Sequence, residues 1–189
     1  MIKKLISGAV LSMLLTTNGQ AQSVANADKQ IVKVDFDFFQ RRLEEVHDPS
    51  YDSWVINEGK EAEKSFNNVS FKLKGNFTSK WYKVGMSAPF YNRLGSDGLV
   101  TSENLELKIS GLKAGKHTLL TFHNAFDVIT GKTFSPIKIF VNGKLQETVN
   151  ASQRANAKID ASMAYITFNV EKGKDVIVRF EIDPTSNPD

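Results

Sequence analysis

The residues with the most chemistry to offer lie between Trp81 and Gly98, where Trp81, Tyr82, Phe90 and Tyr91 interleave with Arg93 and Asp97. Sugar rings have apolar C–H faces that pack on aromatic rings, and their hydroxyls seek charged or amide partners. Arg93 offers a planar fork for vicinal hydroxyls or a uronate carboxylate. His123, Asn124 and Asp127 follow at the end of an apolar run, and Arg154 lies in the polar stretch 150–156. Trp81, Tyr82, Phe90, Tyr91, Arg93, His123, Asn124, Asp127 and Arg154 are therefore the candidate ligand-binding residues, with an oligo- or polysaccharide as the expected partner.

Other roles compete for some of these positions. The rings could instead cover the end of a sandwich as core. Asp97 before Gly98 suits a turn, Trp54 suits core packing before Val55-Ile56, and His47, in Val-His-Asp-Pro, suits a solvent-facing turn. Asp35 and Asp37 alternate with Val34, Phe36 and Phe38, so they are expected on a polar strand face with Lys33. Cross-strand pairing with lysines is their expected role. Two carboxylates at that spacing could also serve a calcium ion, so a structural calcium stays open and no other cofactor is expected. The sequence holds no Ser-His-Asp arrangement, phosphate loop, HExxH or dinucleotide fingerprint. Uronate-directed β-elimination would have only Arg93, His123 and Tyr91 to draw on.

These side chains need a scaffold, and the N-terminus says where it works. Lys3 and Lys4, the apolar run Leu5–Leu15 and the exit Gly19-Gln20-Ala21 read as a secretory signal peptide over residues 1–21. The apolar run is shorter than the roughly 20 residues that span a bilayer, so no membrane insertion is expected after cleavage and the protein should be secreted or periplasmic. The full chain has 24 Lys and Arg against 21 Asp and Glu; without the leader the balance is about +1, with no basic stripe, and a nucleic-acid partner is not expected. There is no cysteine, which excludes disulfides, a thiolate nucleophile and a lipidated Cys.

Period-two alternation marks strands at Val32–Phe38, Phe66–Leu73, Leu105–Ile109, His117–Asn124, Ile137–Val141, Met163–Val170 and Val176–Ile182. Asn142-Gly143 signals a type I′ hairpin returning along Leu145–Val149. Short helical turns are expected only at 39–46 and 151–161. The expectation is an all-β protein, an antiparallel jelly-roll β-sandwich, as one domain over 31–183 between disordered ends at 22–30 and 184–189.

Asp35-Phe-Asp-Phe38, Glu45-Val-His-Asp-Pro-Ser-Tyr-Asp-Ser-Trp54, Ser96-Asp-Gly98, Ile139-Phe-Val-Asn-Gly143 and above all Ser110-Gly-Leu-Lys-Ala-Gly-Lys-His117 with Thr118-Leu-Leu-Thr-Phe-His-Asn124 carry a further signal. With these the chain resembles the malectin-like, galactose-binding-like β-sandwich modules at the N-termini of secreted bacterial polysaccharide-degrading enzymes. The resemblance implies a non-catalytic carbohydrate-binding or accessory module, with a covalently linked catalytic domain in a longer protein as its usual partner. Two alternatives stand beside it: part of a polysaccharide lyase or glycoside hydrolase, and an interaction sandwich without a sugar site.

Overall fold

The structure, a computed structural model, describes residues 13–17, 31–83, 90–126, 135–152, 154–155 and 160–182, with backbone only at 13–17 and 90–92. The expected ends 22–30 and 184–189 lie outside these residues. Among the described residues, twelve strands form two sheets. One has the order β11 (Ser162–Val170), β8 (Gly115–His123), β1 (Met13–Thr17), β2 (Val32–Asp35) and β3 (Asp52–Ser53). The other runs β10 (Lys144–Val149), β9 (Ile137–Val141), β12 (Val176–Ile182), β7 (Leu105–Ser110), β5 (Val69–Trp81) and β4 (Gly59–Phe66), with β6 (Asp97–Val100) beside the far end of β5. Named pairings are antiparallel except β2 with β3. This is the all-β antiparallel sandwich that the alternation implies.

The alternation works because each sheet buries one face. Leu105, Leu107 and Ile109 of β7, Ile137, Ile139 and Val141 of β9, and Val176, Val178 and Phe180 of β12 meet Val32, Val34, Leu119, Ala164, Ile166 and Phe168 of the other sheet in one continuous core. A second, smaller cluster joins Tyr82, Leu94 and Val100 to Phe122, Phe126, Ala155 and Ala161. Since Phe122 points away from Leu119, Thr121 and His123 along β8, this cluster covers the sheet's outer surface.

Residues 66–73 are not the single strand that the alternation suggests. Asn67 and Asn68 both have positive φ, 47° and 67°, and Phe66 pairs directly with Val69, so a two-residue hairpin joins β4 to β5. The expected hairpin at Asn142-Gly143 is present, with φ of 49° and 79°. Gly111, at φ +83°, backs onto the first hairpin, and a Cβ there would sit 2.3 Å from the Asn68 carbonyl oxygen. Gly111→Ala is therefore expected to cost about 2–3 kcal/mol from combined strain and clash. Gly173→Ala, at φ +72° in open space, should cost only about 1 kcal/mol; urea denaturation of both variants checks the difference.

The helical elements among the described residues are a single turn, α1 (Leu43–Val46), inside the expected 39–46, and a 3₁₀ turn at Phe90–Gly95, with Asp160 also in 3₁₀ conformation. The second expected helical turn, 151–161, falls partly outside the described residues; Ser152 within it bridges Asn124. Met13–Thr17, inside the segment read as a leader, pairs with both β2 and β8. A chain cleaved after Ala21 would lack that neighbour on both strands.

Candidate functional site

Two groups of side chains meet where β2 ends and β5 pairs with β6. Trp81 is the last residue of β5 and lies directly across from Asp97, the first of β6, so both project from the same side of the pair. The indole is half-buried, and the Arg41 guanidinium lies over it, 4.3 Å from the ring centroid. Arg41 is placed by the turn entering α1 and reaches Glu45 at 3.8 Å. Arg93, half-buried in the 3₁₀ turn, donates to the His47 carbonyl at 3.4 Å, which ties that turn to the end of α1.

Beneath this edge lie four buried carboxylates and one imidazole. Asp35 and Asp37 are not on a polar face opposite lysines. They are 1% and 0% exposed, because the turn after α1 packs against that face, with the Asp48 N–H on Asp35 and His47 Nδ1 3.3 Å from both carboxylates, while residues 52–56 run parallel beside β2 and its extension. Trp54 N–H donates to Asp35 O at 2.8 Å, Asp37 N–H to Trp54 O at 3.1 Å, and Ile56 N–H to Asp37 O at 3.2 Å. Trp54 itself is core, as expected, packed 5.2 Å from Phe36 between ring centroids.

His47 corrects a second expectation. Its side chain is only 18% exposed, and Nδ1 stands 3.3 Å from Asp35 Oδ2 and 3.3 Å from Asp37 Oδ1. Asp35 Oδ2 accepts the Asp48 N–H at 2.8 Å, the Ser53 hydroxyl donates to Asp37 Oδ2, and Asp48 Oδ1 accepts the Ser50 N–H and hydroxyl. Asp97 is not a turn residue either: it is fully buried and its Oδ2 accepts the Phe38 N–H at 2.8 Å. One oxygen on each of Asp35, Asp37, Asp48 and Asp97, together with His47 Nδ1, has no hydrogen-bond partner.

Burial pushes the Asp35 carboxyl up, against the pull of His47. Burial and the neighbouring Asp35 charge push Asp37 up to about 6, and burial with the same neighbour pushes Asp97 well up. The two aspartates beside it, Asp35 first, push His47 up. Tyr51, beside the cluster, is pushed up to about 12, chiefly by burial. Buried like charges that raise one another in this way are costly to fold, and they collect at sites with a task.

The other expected ligand residues are dispersed. Tyr82 is buried in the outer cluster, with its hydroxyl against the carbonyls of Gly95 and Ala155 at 2.8 and 2.6 Å. Asn124 is fully buried: its Nδ2 donates to Tyr82 Oη at 2.6 Å and to Gly95 O at 2.7 Å, while its Oδ1 accepts the Ala155 N–H at 2.9 Å. His123 is fully buried in the sandwich interior, within 2.7 Å of Thr121 Oγ1 and near the Phe180 ring, and burial pushes it down to about 3. These three are interior residues here, because Gly95 and Ala155 close on Tyr82 and Asn124 and because the face of β8 opposite Phe122 is the core face. Arg154 is exposed, lies over the Tyr82 ring at 4.9 Å and donates to Phe126 O. Phe90 and Tyr91 belong to the 3₁₀ turn, but their side chains, and all of Asp127, lie outside the described residues. Of the candidates, Trp81 and Arg93 share one edge, joined by Arg41, which sequence reasoning did not single out.

Comparison with family models, with curated proteins and with solved structures finds nothing that matches this chain.

Proposed function

We propose that the chain is an exported, non-catalytic module that binds an oligo- or polysaccharide through the Trp81 edge, in the service of polysaccharide degradation. The observation that carries this reading is the half-buried indole held against Arg41 at the rim of the sandwich, with Arg93 on the adjoining turn. The ring is oriented before a ligand arrives, and two guanidinium groups stand within the same rim for hydroxyls or a uronate. The resemblance to galactose-binding-like, malectin-like modules, with their jelly-roll topology and bacterial polysaccharide-degrading context, supports the same reading. Export rests on the leader at residues 1–21, with the secreted or periplasmic space as destination. A lyase centred on this region could not use His123 as its base, since that imidazole is sealed in the core and tied to Thr121.

An open rim buries little ligand surface, so affinity should be weak and should depend on the stacking ring. Trp81→Ala is expected to lower affinity at least about tenfold without changing the far-UV circular dichroism. Affinity electrophoresis against neutral and acidic polysaccharides checks it. Equal retardation of the variant and the wild type would remove the site from this edge.

A further inference from the structure

We propose that Asp35, Asp37 and His47 form a binding site for one divalent cation of the zinc type, taking one oxygen from each carboxylate and Nδ1 from the imidazole. One ligand atom from each of the three residues can be chosen so that all lie within 4.8 Å of one another. The two 3.3 Å separations from Nδ1 are long for an N–H···O hydrogen bond, which centres near 2.9 Å. They match the roughly 3.3 Å edge of a tetrahedral shell with metal–ligand bonds of about 2.0–2.2 Å.

The unpartnered atoms point the same way. Asp35 and Asp37 are almost completely removed from water, yet each has an oxygen without a hydrogen-bond partner, and His47 Nδ1 has none either. Buried polar atoms are normally paired, and a group of unpaired ones converging on one spot is what a bound ion leaves when only the protein is drawn. Asp97, which feels the charges of both aspartates, adds a third buried carboxyl with an unpartnered oxygen, so a dication would relieve carboxyls crowded together. Both carboxylates are braced, Asp35 by the Asp48 N–H on the same Oδ2 that stands 3.3 Å from Nδ1, and Asp37 by the Ser53 hydroxyl on its opposite oxygen, Oδ2, the outer bracing that fixes ligating carboxylates.

The donor set selects the ion. Calcium takes six to eight oxygens, whereas two carboxylates and an imidazole suit a borderline ion, with water completing the shell. His47 is the partly exposed member and gives the entry path. The other two histidines do not compete: His123 is sealed inside, and His117 is buried with its Nε2 against the Lys113 carbonyl. A cation here would clamp the end of β2 to the segment after α1. Through the Phe38 N–H bond to Asp97 it would also reach the strand pair that carries Trp81. The site does not depend on the glycan reading, since its ligands lie below that rim.

The test is isothermal titration of chelator-treated, untagged full-length protein with zinc chloride, alongside His47→Gln and Asp37→Asn, with folding verified by circular dichroism and a calcium chloride titration in parallel. The expected result is one zinc per chain, a higher melting temperature with zinc, and affinity at least about tenfold weaker in both variants. Should Asp37→Asn fail to fold, His47→Gln decides, since its side chain reaches solvent. No zinc uptake by the wild type, unchanged affinity in His47→Gln, or uptake of calcium but not zinc would each overturn the proposal.

Discussion

Asn124→Ala is expected to destabilise the protein by about 3–5 kcal/mol, the largest effect of any single polar substitution argued for this fold. The Asn124 amide ties the end of β8 both to the 152–155 segment, which it also meets in a backbone bridge, and to Tyr82 and Gly95. Nδ2 reaches the Gly95 carbonyl and the Tyr82 hydroxyl, and Oδ1 takes the Ala155 N–H and, at 3.3 Å, the Ser152 hydroxyl. Truncation leaves the Ala155 N–H without a partner at a buried position, and each such orphan costs about 1–3 kcal/mol on top of the cavity. Tyr82→Phe removes one hydroxyl from the same network and keeps the ring against Phe126, so it should cost less, about 1–2 kcal/mol. Urea denaturation of the three proteins checks the order. A shift under about 1 kcal/mol for Asn124→Ala would mean that Tyr82, Gly95 and Ala155 are not held by this amide.

His123 should impose an acid limb on stability. Burial alone pushes its imidazole down to about 3, while in the unfolded chain it titrates near 6.5. Above about pH 6.5 neither state binds the proton and the group is neutral to stability. Between about 6.5 and 3 the unfolded chain binds a proton that the folded chain refuses, so folding weakens as pH falls, by about 1.4 kcal/mol per pH unit. Asp35, Asp37 and Asp97 work in the opposite sense, because their raised values let the folded state hold protons that the unfolded state has released. The histidine is therefore isolated by comparison with His123→Gln. Whatever the variant costs at pH 7, its disadvantage should shrink or reverse as pH is lowered toward 4. Denaturation curves that keep a constant separation from pH 7 to 4 would show that His123 is hydrated in the folded state.

The strands that could be read from the sequence are those whose two faces see different surroundings. β7, β9, β11 and β12 alternate buried and open positions, and each carries its apolar residues in the matching rhythm. β4 could not be read that way, since Gly59–Phe66 is an edge strand with mostly exposed polar side chains and is held by backbone pairing to β5. The β4–β5 turn had a signal that went unused, the consecutive Asn67-Asn68. At β2 the alternation was sound but its meaning was not: the turn with His47 and Asp48 closes over the second face, so Asp35 and Asp37 count as interior. At β8 the alternation puts His123 on the face opposite Phe122, but only the tertiary structure shows that the His123 side is the interior. The candidate site was legible in the same partial way. The aromatic and basic character of the Trp81 rim is local, whereas the partners Arg41 and His47 are tens of residues away in sequence and reach it only through the fold.

The measurement that bears most directly on the glycan-binding reading uses the two tryptophans. Trp54 is buried against Phe36 and Phe66, so a polysaccharide that meets the protein at the proposed rim can alter only the emission of Trp81. Intrinsic fluorescence is followed while the polysaccharide that retards the protein most strongly is titrated in, with Trp81→Phe as the comparison. A saturable change in the wild type that the variant lacks is the predicted result. Retardation with no change in emission, or the same change in both proteins, would contradict a glycan site at Trp81.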